Sequence, residues 1–270
     1  MKILLSNNDL NEALYDVSDL GFVPTMGCLH KGHISLIKKS LKECKKTIVS
    51  IFVNPTQFNN KNDFKNYPRN NKKDISILRK LKINFLYLPK VNDIYDFKRK
   101  SSIKLKKKDK ILCAKYRKGH FEGVIDVMER LTMKIKPQKT YLGVKDFQQL
   151  FLIKKYLSKK YDTKIISCLT IRDSNKLAFS SRNKLLSKSQ LMTARKISNE
   201  IFLLKEKLSK SRNTKKLISN KKKNLVNSFN IKFDYFELRN ISNLKLSNKV
   251  KNSKLFVAYY INKVRLIDNF

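Results

Sequence analysis

Pro24-Thr-Met-Gly-Cys-Leu-His-Lys-Gly-His33 is the stretch on which the reading of this chain turns. It follows the apolar run Leu20 to Val23 and opens a segment with Ile34, Leu36, Ile37 and Leu41 at helical spacing. His30 and His33 therefore sit where a strand turns into a helix. Such a corner favours anions, because free backbone N–H groups and the positive end of the helix dipole attract phosphate. Two imidazoles three residues apart face the same way on a helix. Gly27 and Gly32 let the backbone approach a ligand that a Cβ would obstruct. The segment reads as a nucleotide triphosphate site whose histidines stabilise charge on a reacting phosphate. A metal pair is the alternative. Zinc needs three protein ligands, and His120 is the one further histidine in the chain.

Working outward, strand-like and helix-like runs alternate. Strands are expected at 21–25, 47–53, 84–88, 140–142 and 164–169, with helices near 31–46, 69–81, 121–135 and 146–159. Alternation of this kind predicts an α/β fold, a mostly parallel sheet wrapped by helices, with ligands at the C-terminal ends of the strands. Polar clusters fall just there: His30 and His33, then Asn54-Pro-Thr-Gln57, then Gly143-Val-Lys145-Asp146, then Ser180-Ser181-Arg182-Asn183. From about 187 the pattern changes to two polar helices (188–208 and 211–228), a strand at 232–238 and a hairpin, 255–261 with 264–267, around Asn262-Lys263. This smaller C-terminal part is α+β. A turn-rich joint at 171–175 divides the chain into domains 1–171 and 172–270. The basic stretch at 98–110 reads as a solvated loop or edge strand.

A chain of 270 residues can bury a full core. Its formal net charge of +40, from 61 basic and 21 acidic residues, suggests nucleic acid or an anionic membrane when taken alone. The lysines, however, are scattered from end to end and far outnumber the arginines, and tryptophan is absent. Sequence-specific nucleic-acid readers use arginine and clustered aromatics. The bias reads as compositional drift, with lysines solvated on helix faces, and predicts no specific nucleic-acid partner. Cys28, Cys44, Cys113 and Cys168 are widely spaced and read as reduced thiols. Neither a signal peptide nor a membrane span is evident, so a soluble, cytoplasmic protein is expected.

Further blocks accompany the first: Val49-Ser-Ile-Phe-Val-Asn-Pro-Thr-Gln-Phe58, Tyr67-Pro-Arg69, Arg117-Lys-Gly-His-Phe121, Gly143-Val-Lys-Asp-Phe-Gln-Gln-Leu150, Ser180-Ser-Arg-Asn183 and Arg265-Leu-Ile-Asp-Asn269. In order and spacing, through almost the whole chain, they resemble the pantothenate synthetase (pantoate–β-alanine ligase) family. The resemblance implies a Rossmann-like nucleotidyltransferase domain, a smaller C-terminal lid domain and a homodimer. It also implies a two-step reaction. Pantoate and ATP, with Mg²⁺, would give pantoyl adenylate and pyrophosphate, after which β-alanine would displace AMP to give pantothenate.

By the same resemblance His30, His33, Lys145 and Arg182 are the catalytic set, and Met26, Gly143, Asp146, Ile171, Ser180 and Ser181 join them around ATP. Gln57 and Gln149 would clamp pantoate, with Asn54 nearby and Val127 and Met128 walling the pocket. The Mg²⁺ would bind mainly ATP phosphates and water, with no protein ligand assigned. The bland roles remain open beside these: an N-cap for Asp146, a surface amide for Gln149, core packing for Val127 and Met128, and a polar turn or helix cap for Ser180–Asn183. His120 and Arg117 fit structural hydrogen bonding as well as substrate contact. Tyr67 would cover the site or pack beneath Pro68. Val144, Lys118 and Cys113-Ala114 depart from the family's usual glutamate, proline and Glu-Gly. The first leaves Lys145 more mobile unless another carboxylate orients it. A related nucleotidyltransferase sharing the histidine corner is the rival enzyme class, and an anion-binding protein the rival without catalysis.

Overall fold

The computed structural model describes residues 1–95, 101, 103–211 and 213–270, so the basic stretch at 98–110 lies partly outside the described residues. Two compact units divide the chain, Met1–Leu169 and Thr170–Phe270.

In the first unit β1 (Lys2–Leu4) leads into α1 (Asn7–Leu14), whose N-terminus is closed by a reciprocal capping box between Ser6 and Asp9. Then follow β2 (Leu20–Thr25), α2 (Lys31–Glu43) and β3 (Lys46–Ile51). The short α3 (Lys61–Lys65) precedes α4 (Asn71–Lys80), β4 (Phe85–Tyr87) and a single turn, α5 (Val91–Ile94). After α6 (Cys113–Tyr116) come α7 (His120–Ile135), β5 (Lys139–Gly143), α8 (Phe147–Leu157) and β6 (Lys164–Cys168). The strands form one parallel sheet in the order β1-β4-β3-β2-β5-β6. From Thr47 to Ile51 every residue of β3 is buried. Such a continuous run means that helices cover both faces, as in doubly wound sheets. The core on one side joins Val23, Val49 and Leu86 of the strands to Ile37 of α2 and Leu78 of α4.

One detail of the sheet makes room for a ligand. β2 pairs with β3 along its whole length, but with β5 only through Gly21–Lys139 and Phe22–Thr140. Pro24 has no N–H to extend that ladder. Beyond Phe22 the two strands part. Here too the strand order reverses, since the chain moves from β2 outward to β3 and later returns to place β5 on the other flank. A crevice at the carboxyl ends of strands is expected at such a switch point.

The second unit holds α9 (Lys188–Leu208), α10 (Thr214–Phe229) and an antiparallel sheet of β7 (Lys232–Asn240), β8 (Ser253–Ile261) and β9 (Val264–Asn269) in that order. The hairpin turns through Asn262 at φ +50°, a conformation that asparagine tolerates. Although polar overall, α9 buries Ala194, Ile197, Ile201, Leu204 and Leu208, a helical stripe packed with Leu255, Val257 and Tyr259 of β8. Each fully buried aliphatic side chain of that stripe contributes about 1.5–3 kcal/mol. Arg172 closes the unit's core. It donates to both oxygens of Asp268 at 2.6 and 2.9 Å and to the Asn269 carbonyl, and its guanidinium lies 4.4 Å from the Phe270 ring centroid.

Candidate active site

β2 ends at Thr25, whose Oγ1 donates to the Ser50 carbonyl (2.8 Å) and accepts from the Gly27 N–H (3.1 Å). Gly27 (φ +75°) and Cys28 (φ +54°) then curl the chain through left-handed backbone. The curl is held from the side. Asp74 of α4, only 1% exposed, accepts from the Cys28 N–H at 2.6 Å and the Leu29 N–H at 2.8 Å. His30 emerges as the N-cap of α2, its Nδ1 accepting from the Gly32 N–H at 3.2 Å, so a neutral His30 carries its proton on Nε2.

His33 stacks on His30 with ring centroids 4.0 Å apart and planes inclined by 28°. Its residue surface is partly exposed, but its Nδ1 is buried without a hydrogen-bond partner. Loss of water contact, and secondarily the positive charge of Lys145, lower its pKa to about 4. The imidazole is therefore neutral at physiological pH. One expectation needs correcting: the backbone donors of this corner are largely engaged. Asp74 takes the amides of Cys28 and Leu29, and His30 takes that of Gly32. Satisfying buried N–H groups outweighs leaving them open, so an anion here meets imidazoles and the helix dipole more than loop amides.

Across the crevice, β5 ends at Gly143, where an added Cβ would meet nothing within 4 Å, and a tight turn spans Val144–Asp146. Lys145 Nζ stands 3.5 Å from Asp146 Oδ1. That carboxylate lies within ion-pair distance of the lysine, with which Val144, in place of the family's glutamate, cannot pair. Asp146 holds the N-cap position of α8 but makes no capping hydrogen bond with its side chain.

The third part is an amide cluster on the loop after β3. Gln57 lies in the turn Pro55–Gln57, is buried, and donates from Nε2 to the Met26 sulfur at 2.9 Å. Asn54 donates to Gln57 Oε1 (3.2 Å) and to the Gly123 carbonyl (3.1 Å), while its Oδ1 accepts from the Tyr95 hydroxyl (2.7 Å) and from Thr56. Both ends of Asn54 are thus spent inside the protein, which makes it a support for Gln57.

His120 is a second support. A guanidinium can only donate, so Arg117 (2.8 Å) fixes Nε2 of His120 as acceptor, and Nδ1–H donates to the Gln57 carbonyl at 2.7 Å. With both nitrogens used, His120 is not available to a zinc ion shared with the corner histidines. No group of three or more His, Cys, Asp or Glu side chains converges among the described residues.

Gly123 lets α7 press against this turn, for a Cβ there would lie 2.5 Å from the Thr56 carbonyl oxygen. Val127 and Met128 lie on the same helix, both buried. Gln149 is partly exposed on α8, whereas its neighbour Gln148 is buried and donates to the Ile111 carbonyl at 2.7 Å. Tyr67 packs edge-on against Phe58, with centroids 5.7 Å apart.

The remaining expected residues belong to the second unit. The Ile171 carbonyl accepts from the Phe179 N–H at 3.1 Å, tying the two arms of a tight loop. Ser180 caps the helical turn Ser181–Leu185 by accepting from the Arg182 N–H at 3.3 Å, so the capping role does hold for that serine. Ser181 is buried and Arg182 partly exposed.

Sequence reasoning did not single out Asp74, Gly123, Thr25 or Tyr95. Asp74 looks like an ordinary acid in the first turns of a helix, and nothing local reveals that its partners are 45 and 46 residues away. Among the described residues no helix is long and apolar enough to cross a membrane. All four cysteines are buried thiols.

Comparison with known proteins adds a family context. A family model described as pantoate-beta-alanine ligase matches residues 2–270. A pantothenate synthetase of Flavobacterium psychrophilum is 39% identical over 266 residues, spanning 96% of this chain and 94% of the relative. One from Francisella tularensis subsp. novicida is 42% identical over 265 residues, 97% of this chain and 93% of its own. Among solved structures, a pantothenate synthetase of Thermus thermophilus superposes with a TM-score of 0.94 at 28% identity, covering 100% of this chain and 99% of that one. A pantoate-beta-alanine ligase from Francisella tularensis, complexed with beta-gamma ATP and beta-alanine, gives a TM-score of 0.84 at 40% identity, covering 100% and 97%.

Proposed function

Because this chain belongs to the pantoate–β-alanine ligase family, we propose that it makes pantothenate through a pantoyl-adenylate intermediate. The observation that carries the reading is the pairing of the stacked His30 and His33 with Lys145 across the crevice between β2 and β5. A braced amide, Gln57, stands beside Met26 at the end of the same strand.

In the first step a pantoate carboxylate oxygen attacks the α-phosphorus of ATP, a new P–O bond forms, and pyrophosphate leaves with the electron pair of the broken P–O bond. Two anions must meet, so the site works by positioning and by neutralising charge. His30 Nε2–H is a donor to the phosphates, and Lys145 is a mobile point charge on them. Burial and Lys145 hold the pKa of His33 at about 4, and the negative charge of a bound triphosphate would raise that value and favour the protonated ring. Asp146 accepts from the ribose or, when the nucleotide is absent, holds Lys145. The family resemblance assigns backbone contacts with ATP to Met26, Gly143 and Ile171, and its β,γ end to Ser180, Ser181 and Arg182. Magnesium enters as the MgATP substrate, held mainly by phosphate oxygens and water.

Gln57 and Gln149 each donate and accept, which suits a substrate bearing hydroxyls and a carboxylate, and Val127 and Met128 wall its apolar end. In the second step the amine of β-alanine attacks the acyl carbon, an amide bond forms, AMP departs, and the amine loses a proton. The ligand-bound Francisella relative supports ATP and β-alanine as substrates. A cytoplasmic homodimer completes the reading. Sedimentation of the purified protein checks the oligomeric state.

The test is AMP release with ATP, Mg²⁺, pantoate and β-alanine, each omitted in turn. Turnover that does not require both organic substrates rejects the assignment. His30→Ala should lose adenylate formation and keep its fold by circular dichroism; full activity in that variant removes His30 from the mechanism.

A further inference from the structure

Asp74 is a buried carboxylate, 1% exposed, whose only hydrogen-bond partners among the described residues are the amides of Cys28 and Leu29. No cation pairs with it among those residues, so its charge is held by two backbone dipoles alone, an expensive arrangement for a side chain with a merely cosmetic role. It also stands at the wall of a site meant for a polyanion. Gly27 confirms how closely the loop wraps it, since a Cβ there would come within 3.0 Å of Asp74 Oδ2.

We propose that Asp74 is a positioning residue for adenylation: it occupies the loop amides that would otherwise bind phosphate, and so compels the triphosphate to engage the imidazoles presented by the fixed Cys28–His30 segment. This rests on the use of His30 proposed above. Like the phosphates it excludes, the carboxylate accepts from N–H groups, and its negative charge repels an anion that settles too deep. The loop is therefore selective about where the phosphate lies, not only about whether it binds.

Asp74→Asn separates this from ordinary structural support. Asparagine keeps one acceptor, frees the other amide and removes the charge. Affinity for ATP should then hold or rise while the chemistry suffers, because a phosphate displaced by about 1 Å costs on the order of 10²-fold in rate. The expected result is a kcat for AMP release about 10²-fold lower, with KM for ATP unchanged or reduced. A wild-type kcat overturns the proposal, as does a KM that rises while kcat holds, the signature of plain loosening. His30→Ala measured alongside keeps the two readings apart: if that variant is fully active the assignment of His30 fails, whereas an inactive His30→Ala with a normal Asp74→Asn defeats Asp74 alone. Should Asp74→Asn not fold, amide hydrogen exchange of the unaltered enzyme decides. Protected Cys28 and Leu29 amides, becoming no slower when ATP binds, support the proposal; exchange at surface rates, or protection acquired only with ATP, overturns it.

Discussion

Gly123→Ala places one methyl group where the amide cluster has no room. The added Cβ would sit 2.5 Å from the Thr56 carbonyl oxygen, 2.7 Å from its carbon and 2.9 Å from the Gln57 nitrogen, all backbone atoms that cannot rotate away. Restoring an ordinary contact of 3.4 Å requires α7 and the Pro55–Gln57 turn to separate by about 1 Å. Overpacking of this kind costs roughly 1–3 kcal/mol. Separation also strains the 3.1 Å bond from Asn54 to the Gly123 carbonyl, worth about 1 kcal/mol. Against this, alanine is favoured over glycine inside a helix by about 1 kcal/mol. The net loss is about 1–3 kcal/mol, a fall of several degrees in thermal midpoint. The larger effect is on catalysis. Gln57 is fixed by Asn54 on its side chain and by His120 on its carbonyl, and a shift near 1 Å should lower kcat/KM for pantoate by about 10²-fold. Steady-state kinetics with pantoate varied, beside differential scanning calorimetry, measure both. A variant with wild-type kcat/KM and midpoint refutes the claim that this glycine spaces the turn.

Other outcomes follow from the same structure. Folded His33 has a pKa of about 4 against an ordinary value of 6.5, so the unfolded chain binds its proton more readily. Its contribution is complete above 6.5 and is lost as pH falls toward 4; His33→Gln should flatten the thermal midpoint over that window, by roughly 1–3 kcal/mol in stability. If triphosphate raises that pKa, ATP binding near pH 5 takes up protons, which calorimetry in buffers of differing ionisation enthalpy detects; no uptake disconnects His33 from the phosphates. Arg172→Ala leaves Asp268 buried and unpaired and should cost about 3–5 kcal/mol by chemical denaturation. Arg172→Lys should recover little, because the lost contact is bidentate, and full recovery would contradict that geometry.

The parallel sheet was legible because helical and strand periodicities differ, and because each apolar run from Leu20 onward is bounded by polar turns. The N-terminal β1 and α1 were missed. A three-residue strand carries too little pattern, although the Ser6–Asp9 capping box was there to be read. The apolar stripe of α9 was also undervalued, since lysine and serine between Ile197 and Leu208 lower its average hydrophobicity without interrupting the buried face. At the corner, both histidines and Lys145 were visible as residue types at strand ends. What the sequence could not display was which backbone donors the protein would satisfy by itself. Asp74 meets Cys28 and Leu29 only through tertiary structure, and Asn54 turned inward for a similar reason.

The join between β2 and β5 also orders events in time. Leu20 N–H donates to Gln138 Oε1 at 2.6 Å across 118 residues, and Gln138 N–H returns a bond to the Leu20 carbonyl at 3.1 Å. β2, α2 and β3 form a local unit that can associate early, whereas closing so long a loop costs chain entropy that only later contacts repay. A growing chain that has reached β4 possesses both histidines and no lysine to face them. The histidines and the lysine therefore come face to face late, in the same event that completes the centre of the sheet.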